Sequence, residues 1–197
     1  MMATFKLRAR AIKNDKQGTA AIEFGFVAPV FCLLLMGILD VGYTAYVKSI
    51  LQGTVESTGR ESSLEASLTS SIDAKVTAAM RDIVDGQISF SRVYYQNYQD
   101  IRLPEDFTDV NRNGIREPGE CYIDRNANEV WDADVGLGGR GGAQDVVIYK
   151  AALTFDRPFP LWQFLGQSNR QTVTGITQIR NQPFSAQTAR VGVQICT

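Results

Sequence analysis

The sequence holds no histidine. That absence removes the commonest general base, the serine-type triad and most zinc sites. Cysteine is scarce: Cys32, Cys121 and Cys196 are the three present, and none forms a CxxC pair. Excess charge is also missing. Twenty basic against 21 acidic residues leave a net −1, so no global field favours nucleic acid or an anionic surface. Locally the shortage is sharper. Between Gln17 and Val47 only Glu23 and Asp40 are formally charged. The chain has 197 residues, 44% of them apolar. That suits one domain, or a small domain on a long anchor.

Charge is concentrated at the start. Lys6, Arg8, Arg10, Lys13 and Lys16 stand against Asp15 alone, so residues 1–18 carry 5 − 1 = +4 and the remainder −5. An apolar run follows, unbroken from Phe24 to Leu39. About 20 helical residues cross a ~30 Å hydrocarbon core, and flanking residues complete the span. The basic flank precedes it. The positive-inside rule therefore predicts a single pass, with residues 1–18 in the cytoplasm and the rest outside. A cleaved secretory signal fits less well, because the run exceeds a ~7–15-residue h-region and no A-x-A site closes it.

Glu23 is the anomaly in this run. A carboxylate within a membrane helix is costly, and such residues are usually functional. A cut after Gly18 would place a new amine on Thr19, one helical turn before Glu23 and on the same face. In a filament, a carboxylate of one subunit could then neutralise the amine of the next and so pair a buried charge. Asp40 falls seventeen residues later (40 − 23), roughly 25 Å along a helix axis. It is expected at the outer interface, where a charge needs no partner, with Tyr43 and Tyr46 as interface anchors. Pro29 either kinks the span, easing its extraction, or is simply tolerated.

The stretch Gln17-Gly18-Thr19-Ala20-Ala21-Ile22-Glu23-Phe24 closely resembles the processing motif of type IV-like prepilins of the tight-adherence (Flp) class. Its continuation, Val27-Ala28-Pro29-Val30 and then Leu33 to Gly42, resembles TadE-family pilus assembly proteins. The resemblance covers residues 17–45. It implies a pseudopilin or minor pilin in the inner membrane, cut between Gly18 and Thr19 by a prepilin peptidase, with Glu23 the recognition and assembly residue. Implied partners are other pilins, the peptidase and the inner-membrane assembly platform. No enzymatic activity is implied.

From Tyr43 to Val84 apolar residues recur at steps of three and four, predicting an amphipathic helix over 48–86 after a membrane helix over 19–47. Gly53 and Gly59 are expected to weaken or break it. Ser62-x-x-Glu65 offers a capping box for a fresh start, and Gly86 a stop. Three strands are predicted: Gln87–Tyr95, Asp145–Phe155 and Gln171–Ile179. In the second, Val147, Tyr149, Ala151, Leu153 and Phe155 share one face. The expected architecture is α+β, with a long N-terminal helix packed on a small antiparallel sheet, as in pilins. Between the last two strands, Arg157 to Gly166 would either meet a membrane or partner, or use Trp162 and Phe164 to cap the core.

The extracytoplasmic region, 87–197, holds a long Asp/Asn-rich loop at 102–142. Within it Asp109, Asn111, Asn113, Ile115, Glu117 and Glu120 occupy the ligand positions of a twelve-residue calcium loop, with Gly114 at the sharp turn. A weaker second run has Asp124, Asn126, Asn128 and Asp132, with Glu129 where glycine is expected and Asp134 as its nearest closing acid. Oxygen donors suit a hard cation such as Ca²⁺. The alternative is a set of Asx-turns with no ion. No helix pair flanks either run, which excludes an EF-hand domain. Cys121 and Cys196 can pair if this region is exported, or stay as free thiols.

Two further classes complete the expectations. One is an unprocessed membrane-anchored binding or scaffold protein with a calcium-stabilised loop. The other is an exported hydrolase using paired carboxylates, which the Asn-rich donor set disfavours.

Overall fold

The computed structural model describes residues 17–64, 69–182 and 190–196. The basic segment 1–16 and the proposed capping box at Ser62 and Glu65 lie outside what it describes in full. The chain divides into two compact units, Met1–Thr44 with Arg157–Asn169, and Ala45–Asp156 with Arg170–Thr197.

Helix α1 runs from Gln17 to Leu64 and passes through Pro29 without ending. At ~1.5 Å per residue it is about 72 Å long. Gly53 and Gly59, expected to interrupt it, do not. Helix propensity costs only ~1 kcal/mol at each glycine, and packing overrides that. α1 is the one helix among the described residues long and apolar enough to cross a membrane, and its most apolar 18 residues bury none of themselves within the chain. Phe24, Phe26 and Ile38 are 72%, 76% and 68% exposed, unlike residues of a soluble core helix.

In the larger unit the helical surface changes character. Val47, Leu51 and Val55 are fully buried and Thr58 nearly so, a stripe of steps of four and three that marks one face. α2 (Thr69–Arg81) adds Ile72, Val76 and Met80 at steps of four. Both helices cover an antiparallel sheet of order β3-β1-β4-β5, built from β1 (Gly86–Tyr95), β3 (Leu137–Gly138), β4 (Val146–Asp156) and β5 (Arg170–Arg180). The alternation predicted for β4 is present: Val147, Tyr149, Ala151, Leu153 and Phe155 are all buried. The outcome is the expected α+β fold. A separate two-stranded sheet pairs β2 (Tyr122–Asp124) with β6 (Val193–Ile195).

Asp73 of α2 ties these elements together. It accepts from the Arg92 guanidinium and from the Tyr149 hydroxyl at 2.8 Å, and Arg92 lies over the Tyr149 ring. Burial, then the bond to Asp73, push the Tyr149 hydroxyl well above the ordinary tyrosine range. Its proton is therefore retained by the fold, and the stability this confers is lost only as pH climbs past ~10.

Small residues set how closely helix and sheet approach. A Cβ at Gly59 would lie 2.9 Å from Thr177 Cγ2 and 3.2 Å from Ile179 Cδ1 on β5, and one at Gly175 would press on Leu51 and Val55 at 3.2 Å. Nothing lies within 4 Å of a Cβ at Gly53. These two helix glycines should therefore respond oppositely. Gly53→Ala should raise stability by about 0.5–1 kcal/mol through helix propensity. Gly59→Val should lower it by about 1–3 kcal/mol through overpacking. Thermal melting of the detergent-solubilised full chain reads both.

Candidate functional site

Gly18, Thr19 and Glu23 occupy the first turns of α1 and all are exposed. The four-residue step from Thr19 places Glu23 one turn onward on the same face. Among the described residues no cation pairs with Glu23.

The second acid of the apolar helix has a different environment. Asp40 is 1% exposed. Its Oδ2 accepts from the Arg157 guanidinium and from Trp162 Nε1 at 2.9 Å, while Arg157 lies 4.6 Å from the centre of the Trp162 ring. The expectation of an unpartnered interface charge is therefore overturned. Trp162 serves this acid, and Phe164, expected with it to cap a core, is 74% exposed. The partners are 117 and 122 residues away, so no local pattern could have revealed them.

The acidic loop is built twice. Adding fifteen (124 − 109) carries Asp109, Asn111, Asn113 and Glu117 onto Asp124, Asn126, Asn128 and Asp132. The hydrogen bonds repeat in step. Asp109 accepts from the amides of Asn113 at 3.1 Å and Gly114 at 2.8 Å. Asp124 accepts from those of Asn128 at 3.3 Å and Glu129 at 2.8 Å. Asn113 Oδ1 takes the Ile115 amide and Asn128 Oδ1 the Val130 amide, both at 2.8 Å. Asn111 and Asn113 donate to Glu117, as Asn126 and Asn128 do to Asp132. Even the turn agrees. Gly114 has φ 76° and Glu129 φ 64°, so a glutamate holds the left-handed position that glycine fills more cheaply.

The closing acid of the second loop differs from the sequence expectation. Glu120 accepts from the amides of Val110 at 2.8 Å and Glu117 at 3.0 Å. The equivalent amides of the second loop, Arg125 and Asp132, donate at 2.7 and 3.2 Å to Glu105. Glu105 is fully buried, and fifteen residues separate it from Glu120 (120 − 105). Asp134, expected as the closing acid, instead accepts from the Tyr95 hydroxyl at 3.0 Å and the Gly136 amide at 3.1 Å.

The two loops are related by an approximate two-fold axis. Phe107 and Tyr122 face each other in an antiparallel bridge. On either side Thr108 donates to the Cys121 carbonyl at 2.7 Å and Ile123 to the Asp106 carbonyl at 2.8 Å. Trp131 packs edge-on against Phe107, and Arg116, its equivalent, covers the Tyr122 ring. Each loop is thus closed by a glutamate that stands four residues before the first aspartate of the other.

The donor chemistry of both loops is carboxylate and amide oxygen, which suits a hard cation. The acids alternate with asparagines and accept backbone amides. Among the described residues no three His, Cys, Asp or Glu side chains converge as a ready metal cluster. Glu117 accepts from the Asn111 and Asn113 side chains, and it is the Ile115 amide that bonds within the loop, donating to Asn113 Oδ1. A disulfide joins Cys121 to Cys196 across a separation of 75 residues, and β6, just before Cys196, pairs with β2, just after Cys121. Cys32 is free and exposed on α1.

In comparison with known proteins, residues 18–60 match the family model described as TadE-like protein. No curated protein and no solved structure matches the chain.

The disulfide and β6 should act as one fastening for the repeated loop. Closing a loop of this length removes about 4 kcal/mol of denatured-state freedom. Cys196→Ser should lower stability by a comparable amount and speed proteolytic nicking between residues 105 and 135. Limited proteolysis followed by mass spectrometry measures it, with dithiothreitol on the wild type as the matching control.

Proposed function

We propose that this chain, TadE-like over residues 18–60, is a membrane-anchored minor pilin or pseudopilin taking part in assembly of tight-adherence (Flp, type IV-like) pili. One observation carries the reading. An apolar helix that buries none of its most hydrophobic stretch within its own chain presents the Glu23 carboxylate one turn after Thr19, with no cation beside it among the described residues. A charge placed in hydrocarbon costs about 3 kcal/mol even on insertion scales and calls for a partner. The amine released by a cut between Gly18 and Thr19 supplies one, when subunits stack side by side.

On this reading α1 crosses the inner membrane once, its N-terminus in the cytoplasm and the sheet outside. The role is structural rather than catalytic. Partners are other pilins or pseudopilins, the prepilin peptidase and the inner-membrane assembly platform. An unprocessed anchored scaffold would share the anchor and the outer region but retain residues 1–18.

N-terminal sequencing of protein from its host separates the two, with Thr19 first expected. Gly18→Leu should leave the band unshifted. Glu23→Ala should leave the protein membrane-bound and processed while pili are lost. Normal piliation in that variant would refute the assembly role of Glu23.

The same reading gives the outer loops a cofactor, Ca²⁺. Asp109, Asn111, Asn113, the Ile115 carbonyl, Glu117 and Glu120 would hold one ion. Asp124, Asn126, Asn128 and Asp132 would hold a second, with Glu105 rather than Asp134 as the closing acid. What supports this is the repetition of one donor spacing in two loops of like geometry. The ion would stiffen a segment with little apolar burial. Extracellular modules bind Ca²⁺ at 10⁻⁴–10⁻³ M, so ~2 mM calcium should add roughly 0.6–1.8 kcal/mol per site. Melting in calcium against chelator reads this increment. Asp109→Ala should remove part of it, and Glu105→Gln should remove a separate part. Identical wild-type melting in both media would eliminate the metal.

A further inference from the structure

We propose that the loop between β4 and β5, residues 157–169, is a second membrane contact whose tip sits at the headgroup–acyl boundary beside α1. This rests on the reading of α1 as a membrane span.

The loop belongs to the same compact unit as the apolar half of α1. Its neck is closed by the Arg157 amide on the Asn169 carbonyl at 3.0 Å and by Asn169 Nδ2 on the Arg157 carbonyl at 2.8 Å. The short helix α3 (Leu161–Phe164) forms its tip, and the Gln167 amide folds back onto the Trp162 carbonyl at 2.9 Å. Two contacts set the level of that tip on α1. Trp162 and Arg157 hold Asp40. Leu161 Cδ2 lies 3.7 Å from where a Cβ of Gly37 would stand, so the loop approaches where the helix has no side chain. Gly37 is three residues nearer the middle of the apolar run than Asp40, about 4.5 Å along the axis.

At that level both elements turn apolar side chains outward. Phe164 and Leu165 of the loop are 74% and 65% exposed, and Ile38 and Val41 of the helix are 68% and 66% exposed. The loop contains a single charged residue, Arg157, and it is spent on Asp40. Beyond that paired arginine no formal charge in 157–169 opposes entry into a low-dielectric layer, and the polar Gln163, Gln167 and Ser168 are left for the headgroup side. The pairing at Asp40 has the same logic. A carboxylate at the edge of hydrocarbon is tolerated when a guanidinium and an indole N–H neutralise and cover it. Aromatic side chains with one polar end belong at that boundary. Lipid is therefore the occupant that suits the exposed Phe164–Leu165 tip, and the loop fixes the depth of the span.

The test uses the full chain in phosphatidylethanolamine–phosphatidylglycerol vesicles with the disulfide intact. A nitroxide is attached to Cys32 of the wild type, or to Phe164→Cys or Val191→Cys in a Cys32→Ser background. Accessibility to oxygen and to a nickel chelate is read at each site. The label at 164 should respond to oxygen and lose nearly all nickel broadening, as the label at Cys32 does, while the one at 191 responds to nickel. Nickel access at 164 with Cys32 shielded would put the tip in water and overturn the proposal while leaving the span intact. Shielding of 164 from both reagents would mean that protein, such as a second copy, covers it, and would also overturn it. Nickel access at Cys32 would remove the span itself, and the proposal with it.

Discussion

One helix has to satisfy two surroundings, and the rest of the molecule follows from how it does so. Over Phe24–Leu39 most apolar side chains are exposed, and among the described residues the helix's most apolar 18 residues include none that is buried. From Val47 the same helix narrows to a single buried stripe, Val47, Leu51, Val55 and Thr58. A helix apolar all round is suited to hydrocarbon, and one with a stripe is suited to a sheet. The TadE-like match over residues 18–60 runs through both kinds of surface. It therefore includes the residues that face β5 as well as those of the apolar stretch.

The sheet was legible in the sequence because its alternation is strong. Val147 to Phe155 reads as a half-buried strand, and it is one, with partners Gly86–Tyr95 and Arg170–Arg180 on either side. What escaped were features set by distant partners or by very short elements. β2, β3 and β6 have three, two and three residues, too few for any period to show. Glycines 53 and 59 look like helix breakers in isolation. In the fold Gly59 is instead the point at which helix and sheet come close enough to pack. Asp40 resembled an interface charge because its neutralising arginine lies 117 residues on.

The loop at 102–142 shows the same limit in another form. Its first run was readable because the ligand spacing of a calcium loop is local. The closing of the second run was not, since that spacing looks only forward along the chain. The closing acid here, Glu105, precedes the loop that it closes and reaches it through the two-fold pairing at Phe107 and Tyr122. Burying Glu105 completely is tolerable because both carboxylate oxygens accept backbone amides. Without that pairing Glu105 would be left unmatched and the second loop unclosed. The repeat is therefore one structural unit rather than two adjacent sites, and the disulfide from Cys121 to Cys196 fastens that unit at its middle.

The two acids of the apolar helix make the final distinction. They share a helix and a chemistry, yet one is covered and the other is not. Asp40 is answered within the chain by Arg157 and Trp162, so its charge is already compensated whatever surrounds the protein. Glu23 is exposed and unanswered among the described residues. Neutralising Asp40 internally lets the C-terminal end of the apolar stretch and the 157–169 loop act as one fixed piece. Leaving Glu23 open among the described residues keeps a demand for a positive charge. In a low-dielectric layer that demand is large, because removing one partner of a buried pair costs about 3–5 kcal/mol.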